Sequence, residues 1–491
     1  MIHVFAPGGS RDGTAQARLL STILLALIAG TAQAADSGQS YYVEPGTYST
    51  QREPDPPSYT KDVGTAYDDH ALDWLDAGVE YRLRYEDRHN DIRRPDAVGD
   101  DHPLLQRTRL YAGIHDVLDP LRFVVELQDS REFHSRYAPD VRDVDHLDVI
   151  QGYAELRWPA ALGTDARGNQ RQFDLRAGRF AFDELDRRLV ARNEWRNTTN
   201  AFDGVRVQIG NDNNAWALDA WSLQPVTRLL TDPDKPNQDQ RFDGVIAHLR
   251  PWSEWITLEP HYFRLVQDST AATAFHPRDI LAPGLRVYGK VLNDAVNYDL
   301  SVMKQHGSDN GQRTDGEAFT AEAGYSWNHL AWQPHLSASY GYASGDRNPK
   351  DNTNDRFERF FGFGRSWSAD DYIVYENIRA PKIRLEIQPI DGVHIDGGYN
   401  WFRLASTTDR LTNLLAGAAF NRDSSGKSGG DVGNSWDVRV RFSPIRHWQT
   451  AVGYSSFVNG DFVKARQVAA TGTNAAGSSF FYVELTWRWL Q

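Results

Sequence analysis

Arginine recurs at every second position in segment after segment of this chain. Arg82 with Arg84, Arg107 with Arg109, and Arg439 with Arg441 are two residues apart. Arg122, Arg176, Arg206, Arg286 and Arg384 sit in similar runs where charged and apolar residues alternate. A two-residue period places such side chains on one face of a pleated strand. The guanidinium is a planar fork that pairs bidentately with carboxylate or phosphate, so a wall of arginines can replace the hydration of a passing anion. Glu80, Glu86, Glu126, Glu386, Asp437 and Glu484 share those faces. Cross-strand pairs that merely brace the wall are therefore the competing role for any one arginine. The collective excess is the firmer feature: of 53 basic residues only eight are Lys, leaving 45 Arg.

Arg179 follows Gly178 and is out of phase with Arg176, so it reaches the charged face only through a bulge at Gly178 or from a loop position. Asp183, Glu184, Asp186, Arg187 and Arg188 form a charge-dense loop that either folds inward as a constriction or stays a solvated outer loop. Asp346, Asp351 and Asp355 offer loop oxygens, but their spacing does not match an EF-hand, and no metal site or cofactor is assigned. Catalytic signatures are missing: there is no Gly-x-Ser-x-Gly set between a strand and a helix, no His-Glu-x-x-His and no phosphate-cradling Gly-x-x-x-x-Gly-Lys-Ser/Thr. The absence of cysteine removes disulfides, thiolate chemistry and most structural zinc sites. A formal net charge of −13 argues against a nucleic-acid partner. The chemistry on offer is selection and passage rather than catalysis.

The elements that must carry these arginines are long alternating strands. In residues 77–86, Ala77, Val79, Tyr81, Leu83 and Tyr85 oppose Glu80, Arg82, Arg84 and Glu86. In residues 481–489, Phe481, Val483, Leu485, Trp487 and Trp489 oppose Tyr482, Glu484 and Arg488. Segments of this kind, about ten residues long and separated by Gly, Asn, Asp and Pro, number roughly sixteen to eighteen on the alternation template. A soluble β-sandwich shares the period but uses strands nearer 5–6 residues. Fifteen Trp, 21 Tyr and 22 Phe in a chain of mean hydropathy −0.59 fit a wall that is apolar on one face and wet on the other. Asp119-Pro120 reads as a short turn, and residues 130–149 read as an outer loop.

At the N-terminus, Arg11 and Arg18 precede an apolar run over residues 19–29, and Ala32-Gln33-Ala34 precedes Ala35. That is the layout of a cleaved secretory signal peptide. The expected organisation is a signal peptide at 1–34, an extended polar lead-in at 35–70, and an all-β, transmembrane antiparallel β-barrel of the bacterial outer membrane at 71–491.

Two stretches are more specific. Leu175-Arg176-Ala177-Gly178-Arg179-Phe180 leads through Asp183-Glu184-Leu185-Asp186-Arg187-Arg188-Leu189-Val190 and Trp195-Arg196-Asn197-Thr198 to Ala201-Phe202-Asp203-Gly204-Val205-Arg206. Ser339-Tyr340-Gly341-Tyr342-Ala343-Ser344-Gly345-Asp346 leads through an acidic loop to Phe360-Phe361-Gly362. Together they resemble the bacterial alginate-export porin family. The resemblance implies an eighteen-stranded monomeric barrel among outer-membrane lipids, passing an anionic polysaccharide or its oligosaccharides through an arginine-lined pore, with periplasmic export components as partners. A porin for uptake of small acidic molecules is the alternative. One departure is the end, Trp487-Arg488-Trp489-Leu490-Gln491, where barrels of this kind usually finish on an aromatic residue.

Overall fold

The computed structural model describes residues 39–44, 52–94, 99–269, 276–416 and 420–490; the expected signal peptide lies outside the described residues. Eighteen strands make the wall. They are β1 (Leu75–His89), β2 (Leu104–Leu118), β3 (Leu121–Phe133), β4 (Asp145–Trp158), β5 (Phe173–Phe180), β6 (Phe202–Ile209), β7 (Trp216–Thr227), β8 (Gln240–Leu249) and β9 (Thr257–Gln267). The second half holds β10 (Arg278–Val291), β11 (Val296–Lys304), β12 (Glu317–Ser326), β13 (His335–Ala343), β14 (Ile378–Ile390), β15 (Val393–Arg403), β16 (Asp431–Ile445), β17 (Trp448–Asn459) and β18 (Gly477–Arg488). Each pairs antiparallel with its neighbour, and β18 returns to β1 through a register running from Glu80↔Arg488 to His89↔Ser479. The sheet therefore closes and leaves no unpaired edge to the lipid.

The alternating faces hold through every wall strand that carries the expected arginines. Tyr85, Leu110, Phe123, Val125, Leu285, Ile383, Leu385, Val438, Phe442, Val483 and Leu485 stand exposed on the outside, while their charged neighbours are enclosed. Aromatic pairs such as Trp158–Phe173, Tyr325–Trp327 and Tyr399–Trp401 mark the rims where wall meets headgroups. Connections such as 119–120, 391–392 and 446–447 are short and lie at one end, which by the usual arrangement faces the periplasm. The expected outer loop at 130–149 is shorter than the sequence suggests. β3 continues to Phe133 and β4 begins at Asp145, because Ser130 and Gln128 still find partners across the ladder.

What fills the barrel was not expected from alternation. Phe180, Phe202, Trp221, Phe242 and Phe263, on the consecutive strands β5 to β9, point inward and are fully or nearly fully buried. Residues 181–201 and 344–377 fold back into the lumen and pack on this aromatic row. Phe361 meets Phe202 and Phe242 at ring distances of 5.2 Å each, and Phe182 meets Trp221 at 5.4 Å. The two loops also join each other: the Phe361 N–H donates to the Leu189 carbonyl at 3.0 Å, and the Phe363 N–H to the Arg187 carbonyl at 2.8 Å. A Cβ on Gly362 would lie 1.8 Å from the Arg188 carbonyl oxygen, so only glycine permits this approach. The two stretches that carry the family resemblance are thus the two inward loops with their flanking strands.

The lead-in is only partly extended. Residues 39–44 and 52–59 run across the short-turn mouth, Thr60–Asp62 pairs with Asp76–Gly78 of β1, and Val63–Tyr67 forms a short helix. The first wall strand then begins at Leu75, inside the expected 71–491 span.

Candidate substrate pathway

The inward loops and the lead-in divide the lumen into two cavities of opposite charge. The first lies against β14–β18, β1 and β2. It is lined by nine basic side chains (Arg82, Arg107, Arg187, Arg365, Lys382, Arg384, Arg439, Arg441 and Arg488) against five carboxylates (Glu53, Glu80, Glu194, Asp437 and Glu484). The second lies against β4–β8. Five arginines (Arg52, Arg157, Arg176, Arg192 and Arg206) face seven carboxylates there (Glu44, Glu53, Asp55, Asp183, Glu184, Asp212 and Asp219). The aromatic row pulls both loops toward β5–β9, so the space left on the opposite side is the basic one.

This division sorts the arginines that alternation could not. Arg176 donates to Asp55 at 2.7 Å and Glu155 at 2.9 Å, and Arg206 is clasped between Asp219 and Glu184. Arg286 lies between Asp299 (2.6 Å) and Glu259 (3.0 Å). These three are braces, each a buried guanidinium matched by two carboxylates, all of them buried except Asp55 of the lead-in. Arg84, 1 % exposed, bonds Glu86 at 2.9 Å and the Trp195 carbonyl at 2.6 Å. Arg109 bonds Glu194 at 2.6 Å, and Arg107 bonds Glu80 at 2.8 Å. Arg82 holds the carbonyls of Glu194 and Arg196 at 2.8 and 2.9 Å. β1 and β2 therefore use their arginines to anchor the far end of the 181–201 loop. Burial raises the Glu194 carboxyl, but Arg109, Arg107 and Arg192 overcome this and hold it well below the usual range.

Arg384, Arg439 and Arg441 converge on the buried Asp396. Arg439 is at 2.9 Å and Arg441 at 3.7 Å, while Arg384 contacts Asp396 and also Asp437 at 2.9 Å. Arg384 also lies 3.8 Å from Glu386, so these three guanidiniums share three carboxylates, and Lys382 adds a fourth cation to the same wall of the cavity. Arg122 sits at the short-turn mouth, 3.5 Å from Asp116.

Arg179 is a correction. The β4–β5 and β5–β6 registers run without a bulge at Gly178, so Arg179 keeps the parity of Leu175 and Ala177 and faces the outer side of the wall. There it forks onto Asp203 at 2.7 and 3.0 Å and reaches Asp148 at 3.5 Å.

The charge-dense loop is inward and buried throughout. Asp183 accepts from the N–H groups of Glu53 and Arg192 at 2.8 Å each, so it ties the lead-in to the loop. Glu184 pairs with Arg206 and, at 3.8 Å, with Arg52. Asp186 pairs with Arg188 at 2.6 Å, and Arg188 also reaches Glu322 at 4.0 Å. Arg187 lies over the Phe363 ring at 4.8 Å and lines the basic cavity. Asp346 and Asp355 are taken by Arg422 and Arg347, at 2.8 Å each.

Sequence reasoning missed Arg365 and Trp195. Arg365 stacks at 3.4 Å on Trp195, which Arg84 covers from its own side at 3.8 Å. Both residues belong to irregular loops, where no period marks direction. Nearby, Asp370 is buried in the 344–377 loop and accepts from the Ser455 hydroxyl at 3.3 Å. Burial pushes its carboxyl up to about 7, against the Tyr372 N–H and Arg88, with Asp437 adding to the rise. Asp370 is therefore charged above pH 7 and neutral below it. Anion preference should rise as pH falls from 8 to 6, and Asp370→Asn should blunt that rise. Reversal potentials across a salt gradient at the two pH values read both effects; an Asp370→Asn channel as pH-sensitive as wild type would assign the change to other groups.

A family model described as alginate export matches residues 73–476. The chain belongs to the alginate-export family. Solved structures similar to it include proteins of Pseudomonas aeruginosa. OpdK, determined with vanillate, has a TM-score of 0.57 at 12 % identity, covering 84 % of this chain and 98 % of its own. OccK2 (OpdF), determined in complex with glucuronate, has a TM-score of 0.54 at 14 % identity over 84 % and 97 %. OprD, described as an outer membrane protein, has a TM-score of 0.52 at 10 % identity over 85 % and 94 %. At these identities the likeness is one of fold. No curated protein sequence matches the chain. Family and fold together make this alginate-export member an outer-membrane, porin-like β-barrel.

Proposed function

We propose that this barrel passes an anionic polysaccharide, alginate or a chemically similar polyuronate, outward along the basic cavity. The observation that carries the reading is the one-sided charge of that cavity, nine basic groups against five carboxylates, in a chain whose formal charge is −13. A polyuronate presents one carboxylate per sugar. Guanidiniums held on a rigid wall can hand such groups along without being reorganised at each step. The low-dielectric wall focuses their field, while exposed loop acids act through screened distances of about 8 Å at physiological salt. One chain closes the barrel, which supports a pore formed by a monomer, and the lead-in at the short-turn mouth is the surface that periplasmic export components would meet.

A second reading, uptake of small carboxylates, draws on the crowding of the lumen by two loops and a lead-in, and on the glucuronate and vanillate bound by structural neighbours. Liposomes carrying the purified barrel separate the two. On the export reading they release trapped oligouronates faster than neutral oligosaccharides of equal length. Release of uronic acid monomers alone would favour the second.

A further inference from the structure

The outer end of β4 holds three carboxylates that the channel reading does not use. We infer that Asp145, Asp148 and Asp234 form a binding site for a calcium ion. Asp145 opens β4 and Asp148 follows three residues later, a spacing that would normally send them to opposite faces. The ladder to β3 slips here, with Gln128↔Asp148 followed by Ser130↔Asp145, and Leu147 takes a φ of 32°. That bulge turns both carboxylates to the same side. Asp234, in the loop 228–239, completes the set: one oxygen from each residue lies within 4.8 Å of the others. Oxygens 2.3–2.6 Å from a common calcium ion are separated by no more than roughly this distance.

The observation that points to a ligand is Asp145 itself. It is 1 % exposed, and both its carboxylate oxygens lack a hydrogen-bond partner among the described residues. An ionised carboxylate left so costs far more than folding tolerates unless a cation or a proton compensates. The other two members are held in place by the backbone. Asp148 accepts from the N–H groups of Val149 and Asp234, and Asp234 accepts from the Leu229 N–H at 2.7 Å. Two cations stand nearby, and neither donates a hydrogen bond to Asp145, although Arg228 attracts its charge from a distance. Arg179 is forked onto Asp203 and only grazes Asp148 at 3.5 Å, and Arg228 donates to the Thr199 carbonyl and the Asn200 side chain. Donors that are all hard oxygens favour calcium over softer transition metals.

The site has a consequence for the pore. The loop that supplies Asp234 also supplies Arg228, which grips Thr199 and Asn200 at the root of the inward loop 181–201. A bound ion would fix that root.

The test uses full-length mature barrel refolded into detergent without lipopolysaccharide, stripped with EGTA and titrated with CaCl2 by calorimetry. One saturable site per chain is expected, with affinity in the range of about 10⁻⁴–10⁻³ M seen for extracellular modules. Asp234→Asn, which lies outside the wall, should weaken it tenfold or more while the barrel keeps its heat-modifiable gel mobility. Asp145→Asn should cross over: more heat-stable than wild type in EGTA, and less stable in calcium. No saturable binding, or binding unchanged in Asp234→Asn, would overturn the site. Stabilisation by Asp145→Asn in both conditions would also overturn it, leaving a protonated carboxyl cluster.

Discussion

A barrel lacking residues 39–59 should conduct several-fold more current than the intact one. Residues 52–59 cross the lumen at the short-turn mouth on a chain of specific contacts. Arg52 bonds Asp212 at 3.2 Å, the Glu53 N–H bonds Asp183 at 2.8 Å, Asp55 bonds Arg176 at 2.7 Å, and the Tyr59 hydroxyl bonds Glu126 at 2.5 Å. Further out, Arg167 donates to the Ser40 carbonyl at 2.9 Å and stacks on Tyr41 at 3.7 Å. Deletion spares the wall, because Arg176 keeps Glu155 and Glu126 keeps Arg192. It also removes a strand of backbone that separates the two cavities. Single-channel recordings in planar bilayers read the effect. Unchanged conductance would mean that the lead-in lies outside the path of ions.

The second large effect is on selectivity, and it distinguishes arginines that conduct from arginines that brace. Replacing Lys382, Arg365 and Arg441 together by Gln should cut the anion preference sharply and leave the barrel folded. Lys382 donates only to the Ser366 carbonyl at 3.2 Å among the hydrogen bonds seen, and Arg365 stacks on Trp195. Arg441 is the most distant of the three guanidiniums around Asp396, which retains Arg384 and Arg439. The basic cavity would fall from nine cations to six against its five carboxylates. Replacing Arg176 and Arg206 by Gln should do the reverse. It leaves selectivity almost unchanged and impairs assembly, because Asp219 loses its guanidinium inside the wall while Glu155 and Glu184 keep only the more distant Arg157 and Arg52. Removing one member of a buried pair typically costs about 3–5 kcal/mol. Reversal potentials and heat-modifiable gel mobility on both variants check the contrast; loss of anion preference in the Arg176/Arg206 variant would return the pathway to β5 and β6.

The wall was legible because lipid on one side and water on the other impose a strict period of two, and any charge out of phase would face hydrocarbon. Arg84, Arg109, Arg384 and Arg439 all keep the expected parity for that reason. Arg179 breaks the pattern only because it sits near the outer end of β5, where Asp203 and Asp148 meet it on the outer side. Direction of the loops was not legible, since residues 183–188 read equally as a solvated turn or a constriction. A sign of the answer was nevertheless present. Phe180 shares the phase of Arg176, and Phe202 shares that of Arg206, so large apolar side chains stand where a wet lumen should have polar ones. Such residues need a partner inside the barrel, and the loops carrying Phe182, Phe360 and Phe361 supply it. Individual roles were hidden for a different reason. Whether an arginine braces or conducts depends on which carboxylates the loops bring to it, as Glu184 is brought to Arg206 and Glu194 to Arg109.

The central claim is that an anionic glycan moves along the basic cavity between β14 and β2. The most direct test is release of a fluorescent hexauronate from liposomes containing wild-type barrel, the Lys382/Arg365/Arg441 variant or the Arg176/Arg206 variant. Release is scaled to the amount of folded protein, and a neutral hexasaccharide provides the control. The account predicts rapid release through wild type, strong slowing in the triple variant, near wild-type release per folded barrel in the double variant, and little release of the neutral sugar from any. Equal release of charged and neutral hexamers, or undiminished hexauronate release through the triple variant, would contradict it.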